Sequence, residues 1–222
     1  MNFGSVPLRI LVADELDIVR DGLRTLLGSH PGWEICAEAV NGREAVGKAI
    51  QFRPDIVVLD LGIPELNGLE ATRQIRKALP DTEIMLLAPQ DSEPLAQEAL
   101  EAGAGSFIPK ADAKSVLISA VESLAQHRPF FAAKTPALPL RGRVYSEIPW
   151  AKTRRPRCRL TPREREIVQL VAEGKTSREI AAMLGRSVKT VEAHRANIMN
   201  KLGLQSITEL VRYAVRNKIV EG

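Results

Sequence analysis

The sequence predicts an α/β domain built on a five-stranded, doubly wound parallel sheet, followed by an all-α domain of four helices. Three observations carry this. Short apolar runs alternate with amphipathic stretches as far as residue 126, the pattern of repeated βα units. A stretch rich in proline and arginine, 127–159, then breaks the alternation, and everything from Leu160 reads as helix. The charge divides at the same place. Residues 1–126 hold 11 Lys and Arg against 19 Asp and Glu, a net −8, whereas residues 127–222 hold 20 against 8, a net +12.

The elements follow in order. Leu8–Ala13 is an apolar run of strand length. Asp17–Leu27 places Ile18, Leu23, Leu26 and Leu27 at helical spacing. Trp33–Ala39 is a shorter strand and Gly42–Phe52 a helix. In Asp55–Asp60 four apolar residues, three of them β-branched, mark a strand buried on both faces, closed by a carboxylate. Gly68–Leu79 is a helix with Leu69, Ile75 and Leu79 near one face. Glu83–Ala88 and Glu93–Ala102 form the fourth pair, and Ser106–Pro109 is a short fifth strand. The last helix of this half, Asp112–Gln126, opens on an acidic cap. This succession predicts a flavodoxin-like sheet in the order 2-1-3-4-5. The boundaries are then 1–126 for the first domain, 127–159 for a linker and 160–222 for the second domain. Phe130, Phe131, Tyr145 and Trp150 are expected to tack parts of the linker onto a domain.

Composition narrows the class. Hydrophobic content of 45% and charged content of 26% are those of a globular protein. Cys36 and Cys158 stand far apart in no CxxC pattern, which argues against a disulfide framework or a cysteine zinc site and fits a reducing cytoplasm. The first residues lack a basic signal-peptide region, and no segment approaches a membrane span, so no membrane partner is expected. A basic half of this size points to a polyanion, most often nucleic acid.

In a 2-1-3-4-5 sheet, strands one and three are neighbours, so Asp14, Glu15 and Asp60 are expected in one crevice at the C-terminal rim. Three carboxylates there repel unless a cation sits among them, and hard oxygen ligands suit Mg²⁺. Lys110 follows the fifth strand and can reach the same rim. Carboxylates, a divalent cation and a lysine are the parts that neutralise a transferring phosphoryl group. The stretches Ile10-Leu11-Val12-Ala13-Asp14-Glu15, Val57-Val58-Leu59-Asp60, Pro64, Asn67-Gly68-Leu69-Glu70 and Gly105-Ser106-Phe107-Ile108-Pro109-Lys110 resemble the receiver domain of two-component response regulators. The resemblance implies that Asp60 accepts a phosphoryl group from a sensor histidine kinase. It also implies that Asp14, Glu15, Asp60 and the Gly62 carbonyl hold Mg²⁺, with Lys110 pairing the phosphoryl oxygens. One position departs from the family: where the fourth strand ends in Thr or Ser elsewhere, Ala88 stands here, followed by Pro89-Gln90. Alanine donates no hydrogen bond, which puts the conformational readout in question.

In the basic half, Thr161-Pro162-Arg163-Glu164 has the form of a capping box. Its helix buries Ile167, Val168, Leu170 and Val171 and ends at Gly174. Ser177 or Thr176 caps the next helix, Arg178–Leu184. Gly185-Arg186-Ser187 turns the chain into Val188–Leu202, and the last helix is Ser206–Asn217. Two helices joined by a tight glycine turn, the second longer, form a helix-turn-helix. In the second of them Val191, Ile198 and Leu202 make a core stripe. The opposite side shows Lys189, Glu192, Ala193, Ala196 and Asn200, where small alanines let the helix approach base edges. Thr190, His194, Arg195 and Lys201 flank it, placed for phosphates. His194 also fits a packed, hydrogen-bonded histidine, and Glu192 an ion pair with a basic neighbour.

The run Leu160-Thr161-Pro162-Arg163-Glu164-Arg165-Glu166, Ala172-Glu173-Gly174-Lys175, Glu179-Ile180-Ala181, Ser187 to His194 and Ile198-Met199-Asn200-Lys201-Leu202-Gly203 resembles the LuxR-type helix-turn-helix of NarL/FixJ response regulators. That implies duplex DNA binding as a homodimer on a two-fold site, with RNA polymerase as a further partner. The expectation is a transcription factor controlled by phosphorylation of Asp60 and not an enzyme, its acidic half shielding the basic half at rest. The alternative, motivated by Ala88, is a DNA-binding regulator whose atypical receiver acts independently of phosphorylation. A phosphatase of the Asp-nucleophile kind needs a second Asp two residues on, where Gly62 stands.

Overall fold

The computed structural model describes residues 6–131, 160–217 and 219–220. Strands β1 (Leu8–Ala13), β2 (Trp33–Ala39), β3 (Ile56–Asp60), β4 (Glu83–Ala88), β5 (Ser106–Pro109) and β6 (Phe130–Phe131) form one parallel sheet in the order β2-β1-β3-β4-β5-β6. Helices α1 (Asp17–Gly28), α2 (Gly42–Phe52), α3 (Gly68–Ala78), α4 (Glu93–Ala102) and α5 (Lys110–Leu124) cover it. The alternation of side chains in a strand sends Leu11, Val57 and Leu86 to one face, against α2, α3 and α4. Ile10, Val12, Val58 and Met85 go to the other, against α1 and α5. The interior stretches of β1, β3 and β4 are therefore apolar on both sides, as a sheet covered on both faces requires.

Two details differ from the sequence reading. The sheet has a sixth strand, because Phe130 and Phe131 pair with Ser106 and Phe107 along the edge of β5. The two rings divide between the faces of the sheet, Phe131 packing on one core and Phe130 on the other. The linker reading for 132–159, with Tyr145, Trp150 and Cys158, lies outside the described residues. Helix α5 begins at Lys110 and not at an Asp112 cap; β5 runs straight into it through Pro109, whose side chain makes no cap hydrogen bond.

The C-terminal domain consists of α6 (Pro162–Ala172), α7 (Ser177–Met183), α8 (Val188–Leu202) and α9 (Ile207–Arg216) around a core that includes Ile167, Leu170, Ile180, Val191, Ile198 and Leu210. Capping boxes start α6 at Thr161 with Glu164 and α7 at Thr176 with Glu179. Gly185 and Gly203 turn the chain with φ of 59° and 67°, a conformation open to glycine at little cost. Residues Glu166 to Val171 are all buried, although one turn of an amphipathic helix ordinarily leaves a polar face wet. The polar face of α6 is covered by the α/β domain.

Among the described residues no helix is long and apolar enough to cross a membrane.

Candidate functional site

Parallel pairing of β1 with β3 sets Ala13 beside Leu59, so the next residues, Asp14 and Asp60, emerge together at the C-terminal rim. Lys110, the first residue of α5, lies between them. Its Nζ is 2.8 Å from Asp14 Oδ2 and 2.8 Å from Asp60 Oδ1. Asp14 is fully buried and Asp60 is 3% exposed. Two carboxylates this close in a dry site repel, and the shared ammonium offsets that repulsion. Burial pulls the Lys110 amine down, but hydrogen bonds and charge from Asp14 and Asp60 outweigh it and hold its pKa above the ordinary lysine value. Lys110 is thus a permanent cation at neutral pH.

Asp14 is further fixed by Leu16, whose amide donates to Oδ1 at 3.0 Å. Arg20, which the sequence reading did not single out, is buried and donates to the backbone carbonyls of Asp14 at 2.8 Å and Glu15 at 3.1 Å. The signal for it was weak: an arginine on the inner side of α1, one turn in.

Glu15 is exposed, and among the described residues no group of three His, Cys, Asp or Glu side chains stands close enough to enclose a metal ion. The expected crevice of three carboxylates is therefore a pair bridged by a lysine. Two buried carboxylates presenting hard oxygens still fit Mg²⁺, which keeps most of its waters and takes one or two protein carboxylates together with phosphate oxygens.

The loop after Asp60 is tightly held. Leu61 donates to the Leu87 carbonyl at 2.8 Å, Gly68 to the Leu61 carbonyl at 2.9 Å, and Gly42 to the Pro64 carbonyl at 3.0 Å. A Cβ on Gly42 would lie 1.7 Å from the Leu66 oxygen, and one on Gly68 2.5 Å from the Asp60 oxygen. Gly62 lies in this loop, and Glu65 adopts φ of 65°, unusual for a residue with a side chain. Ala88 is fully buried at the end of β4, opposite Pro109, in the same cluster as Phe107.

The other half of the loop's restraint comes from α6. The Gln169 amide donates to the Ile63 carbonyl at 3.2 Å, and its oxygen accepts the Asn67 amide at 2.7 Å. Both oxygens of Glu173 accept from the Glu65 amide, at 3.2 and 3.3 Å. Around these, Glu166 pairs with Arg43 of α2 and Arg165 with Glu98 of α4, the latter at 3.2 Å. Burial pushes the Glu173 carboxyl above its ordinary pKa, against hydrogen bonds from Gln169 and the Glu65 amide and the charge of Lys175.

The docked domain leaves its outer side open. On α8, Lys189, Thr190, Glu192, Ala193 and Ala196 are exposed, while His194 and Arg195 are half-buried. The acidic half meets the basic half through α6, and these residues of α8 stay exposed beside it. Several of the flanking residues are engaged locally. The Thr190 hydroxyl lies 2.8 Å from that of Ser187, Arg195 donates to Ser177 Oγ at 2.6 Å, and Lys201 pairs with the capping residue Glu164 at 2.7 Å.

Comparison with known proteins agrees with both halves. Residues 10–122 match the response regulator receiver domain, and residues 159–214 match the bacterial regulatory proteins of the luxR family. The transcriptional regulatory protein LiaR of Bacillus subtilis (strain 168) is 34% identical over 214 residues, 96% of this chain and 99% of LiaR. The oxygen regulatory protein NreC of Staphylococcus aureus (strain JH9) is 36% identical over 216 residues, 96% of this chain and 100% of NreC. The crystal structure of a LuxR-family two-component response regulator from Aurantimonas sp. SI85-9A1 is 35% identical, with a TM-score of 0.54, and covers 55% of this chain and 88% of that one. With an acidic pair bridged by lysine at the rim of its sheet and a luxR-family helical domain behind it, the chain belongs to the NarL/FixJ family of response regulators.

Proposed function

We propose that this response regulator is a transcription factor whose receiver takes a phosphoryl group on Asp60 and whose C-terminal domain binds duplex DNA as a dimer. The observation that carries the first half is Lys110 bridging Asp14 and Asp60 at 2.8 Å each. An Asp60 oxygen forms the new O–P bond as the P–N bond of a kinase phosphohistidine breaks, and the imidazole leaves with the electron pair. Lys110 then moves from carboxylate to phosphoryl oxygen without changing its charge. Asp14 and Asp60, with the Gly62 carbonyl, are the groups that would hold Mg²⁺, which, when bound, would offset charge on the phosphoryl oxygens. Leu16 and Arg20 keep the Asp14 loop in place for it.

The second half is supported by the exposed face of α8, where Lys189 and Glu192 flank small alanines that permit close approach to base edges. Thr190, Ala193, His194, Arg195, Ala196 and Lys201 complete the proposed DNA-facing set. Both half-buried side chains and the paired Lys201 are better suited to phosphate than to base contact. LiaR is a transcriptional regulatory protein and NreC an oxygen regulatory protein. For this chain the corresponding role is control of transcription in the cytoplasm, downstream of a sensor histidine kinase.

The test is Phos-tag electrophoresis after acetyl phosphate and Mg²⁺, with operator binding measured on the same samples. A shifted species that disappears in Asp60→Asn, together with tighter operator binding, is expected. Equal operator affinity with and without the donor would move control away from Asp60.

A further inference from the structure

We infer that Arg20 is a positioning residue for Mg²⁺: it fixes the backbone that aims the Asp14 carboxylate, and so sets how tightly the ion is held. This rests on Asp14 being a ligand of the ion, as proposed above. An arginine is seldom buried without partners, and Arg20 is only 9% exposed. Its Nη1 donates to two successive backbone carbonyls, Asp14 at 2.8 Å and Glu15 at 3.1 Å. Its Nη2 pairs with Asp17 on the same helix, and its Nε lies 3.5 Å from Glu38 of β2. The far sides of the guanidinium fork are thus held by carboxylates, and they aim its remaining nitrogen at the loop after β1.

The two oxygens of Asp14 have different partners. Oδ1 accepts from the Leu16 amide at 3.0 Å, whereas Oδ2 meets Lys110 at 2.8 Å, on the side of Asp60. The Leu16 amide and the Glu15 carbonyl belong to one planar peptide group. Holding that carbonyl on Arg20 therefore also holds the N–H that pins Oδ1. If the plane turns, both bonds are lost and the Asp14 carboxylate is free to rotate. A hydrogen bond onto a ligand from outside the metal's own shell orients that ligand, and removing such support weakens the metal.

A purely electrostatic role for Arg20 makes the opposite prediction. Arg20 is a cation beside the site, and by Coulomb repulsion alone its removal would tighten a divalent cation. Positioning predicts weaker binding instead. Lysine separates the two, because an ammonium keeps the charge but not the aimed planar fork.

The experiment uses full-length wild type, Arg20→Lys, Arg20→Met and Arg24→Met. Magnesium chloride is added at constant ionic strength, binding is followed through the Asp14 and Leu16 amide resonances, and a thermal melt checks folding. Arg24→Met is the control: it removes a cation that pairs with Glu38 and Asp21 in the same network but leaves the Asp14 and Glu15 carbonyls alone. Both Arg20 variants are expected to bind Mg²⁺ roughly tenfold more weakly or worse, and Arg24→Met to bind it as wild type does. In the reaction with acetyl phosphate the Asp60 O–P bond forms and acetate leaves. There the Mg²⁺ concentration giving half the maximal rate should rise by the same factor, with the rate at saturating Mg²⁺ near that of wild type. Unchanged or tighter binding by folded Arg20→Lys overturns the inference, and so does an equal loss in Arg24→Met. Should the Arg20 variants fail to fold, Glu38→Gln, which loosens the fork from β2, is expected to weaken Mg²⁺ in the same direction, and no loss there overturns the inference. Wild type that binds Mg²⁺ but takes no phosphoryl group ends the acceptor reading and leaves the inference to the binding data. Wild type that binds no Mg²⁺ overturns the inference.

Discussion

The side-chain oxygen of Gln169 accepts a hydrogen bond from the backbone amide of Asn67 at 2.7 Å, across 102 residues of sequence. One residue is in the first helix of the DNA-binding domain; the other ends the loop that begins at Asp60, the proposed phosphoryl acceptor. This contact joins the two halves of the regulator beside that proposed site.

Removing the shared cation should be costly. Lys110→Met takes away the ammonium that pairs with both buried carboxylates, Asp14 and Asp60. Breaking a buried ion pair from one side costs about 3 kcal/mol. Urea unfolding at neutral pH should show that loss. Phosphorylation of Asp60 should fall below detection in the same variant.

Gly42→Ala tests the packing of the acceptor loop on the receiver side. The added Cβ would lie 1.7 Å from the Leu66 carbonyl oxygen, a backbone atom that cannot swing aside. The loop or α2 must shift, and a stability loss of about 2 kcal/mol or more is expected from such overpacking. Because α2 also carries Arg43, the partner of Glu166, the radius of gyration should grow as well. A melt unchanged from wild type would show that the loop has slack.

Docking should weaken as pH rises through the acid range. Burial raises the Glu173 pKa in the docked state relative to a free carboxyl. A raised carboxyl pKa means that the docked state binds the proton more tightly. The favourable contribution is fully present below the ordinary carboxylate pKa and is lost as pH climbs through the raised value. Scattering across this range should show wild type expanding with pH, and Glu173→Gln, which cannot ionise, doing so less.

On α8, Glu192 and Lys189 should separate into two kinds of contact. Glu192→Ala is expected to relax discrimination at one base pair, by about 1–3 kcal/mol, if its carboxylate accepts from a cytosine amine. Lys189→Ala should weaken operator binding, and a uniform loss across sequences with a salt slope lower by about 1 would mark a phosphate contact. Competition binding on operator variants at two salt concentrations distinguishes these results.

Much of this regulator is legible in the sequence. Alternating apolar runs and amphipathic stretches encode five of the sheet's strands and their neighbours, because each strand must bury both faces and each helix one. The order of the strands places Asp14 beside Asp60, and the strand that precedes Lys110 aims it at the same rim. The capping boxes at Thr161 and Thr176 and the stripe of Val191 and Ile198 likewise announce the helix-turn-helix, since both depend on residues only a few positions apart.

Only the tertiary structure decided the rest. Glu15 next to Asp14 reads as a third carboxylate of the crevice, yet it stands exposed, while Lys110 pairs with Asp14 and Asp60. Phe130 and Phe131 read as linker, and became a strand because the edge of β5 offered unpaired backbone groups and both cores offered room for a ring. Nothing in the sequence marks Glu166, Gln169 and Glu173 as contact residues. Glu166 and Gln169 are buried, and Glu173 half-buried, because their partners are Arg43 and the backbone of residues 63–67, about a hundred positions away. Hydrophobic periodicity reports which side of an element faces its own core; a polar face that meets backbone amides of another domain carries no such mark, and only the folded chain brings the two together.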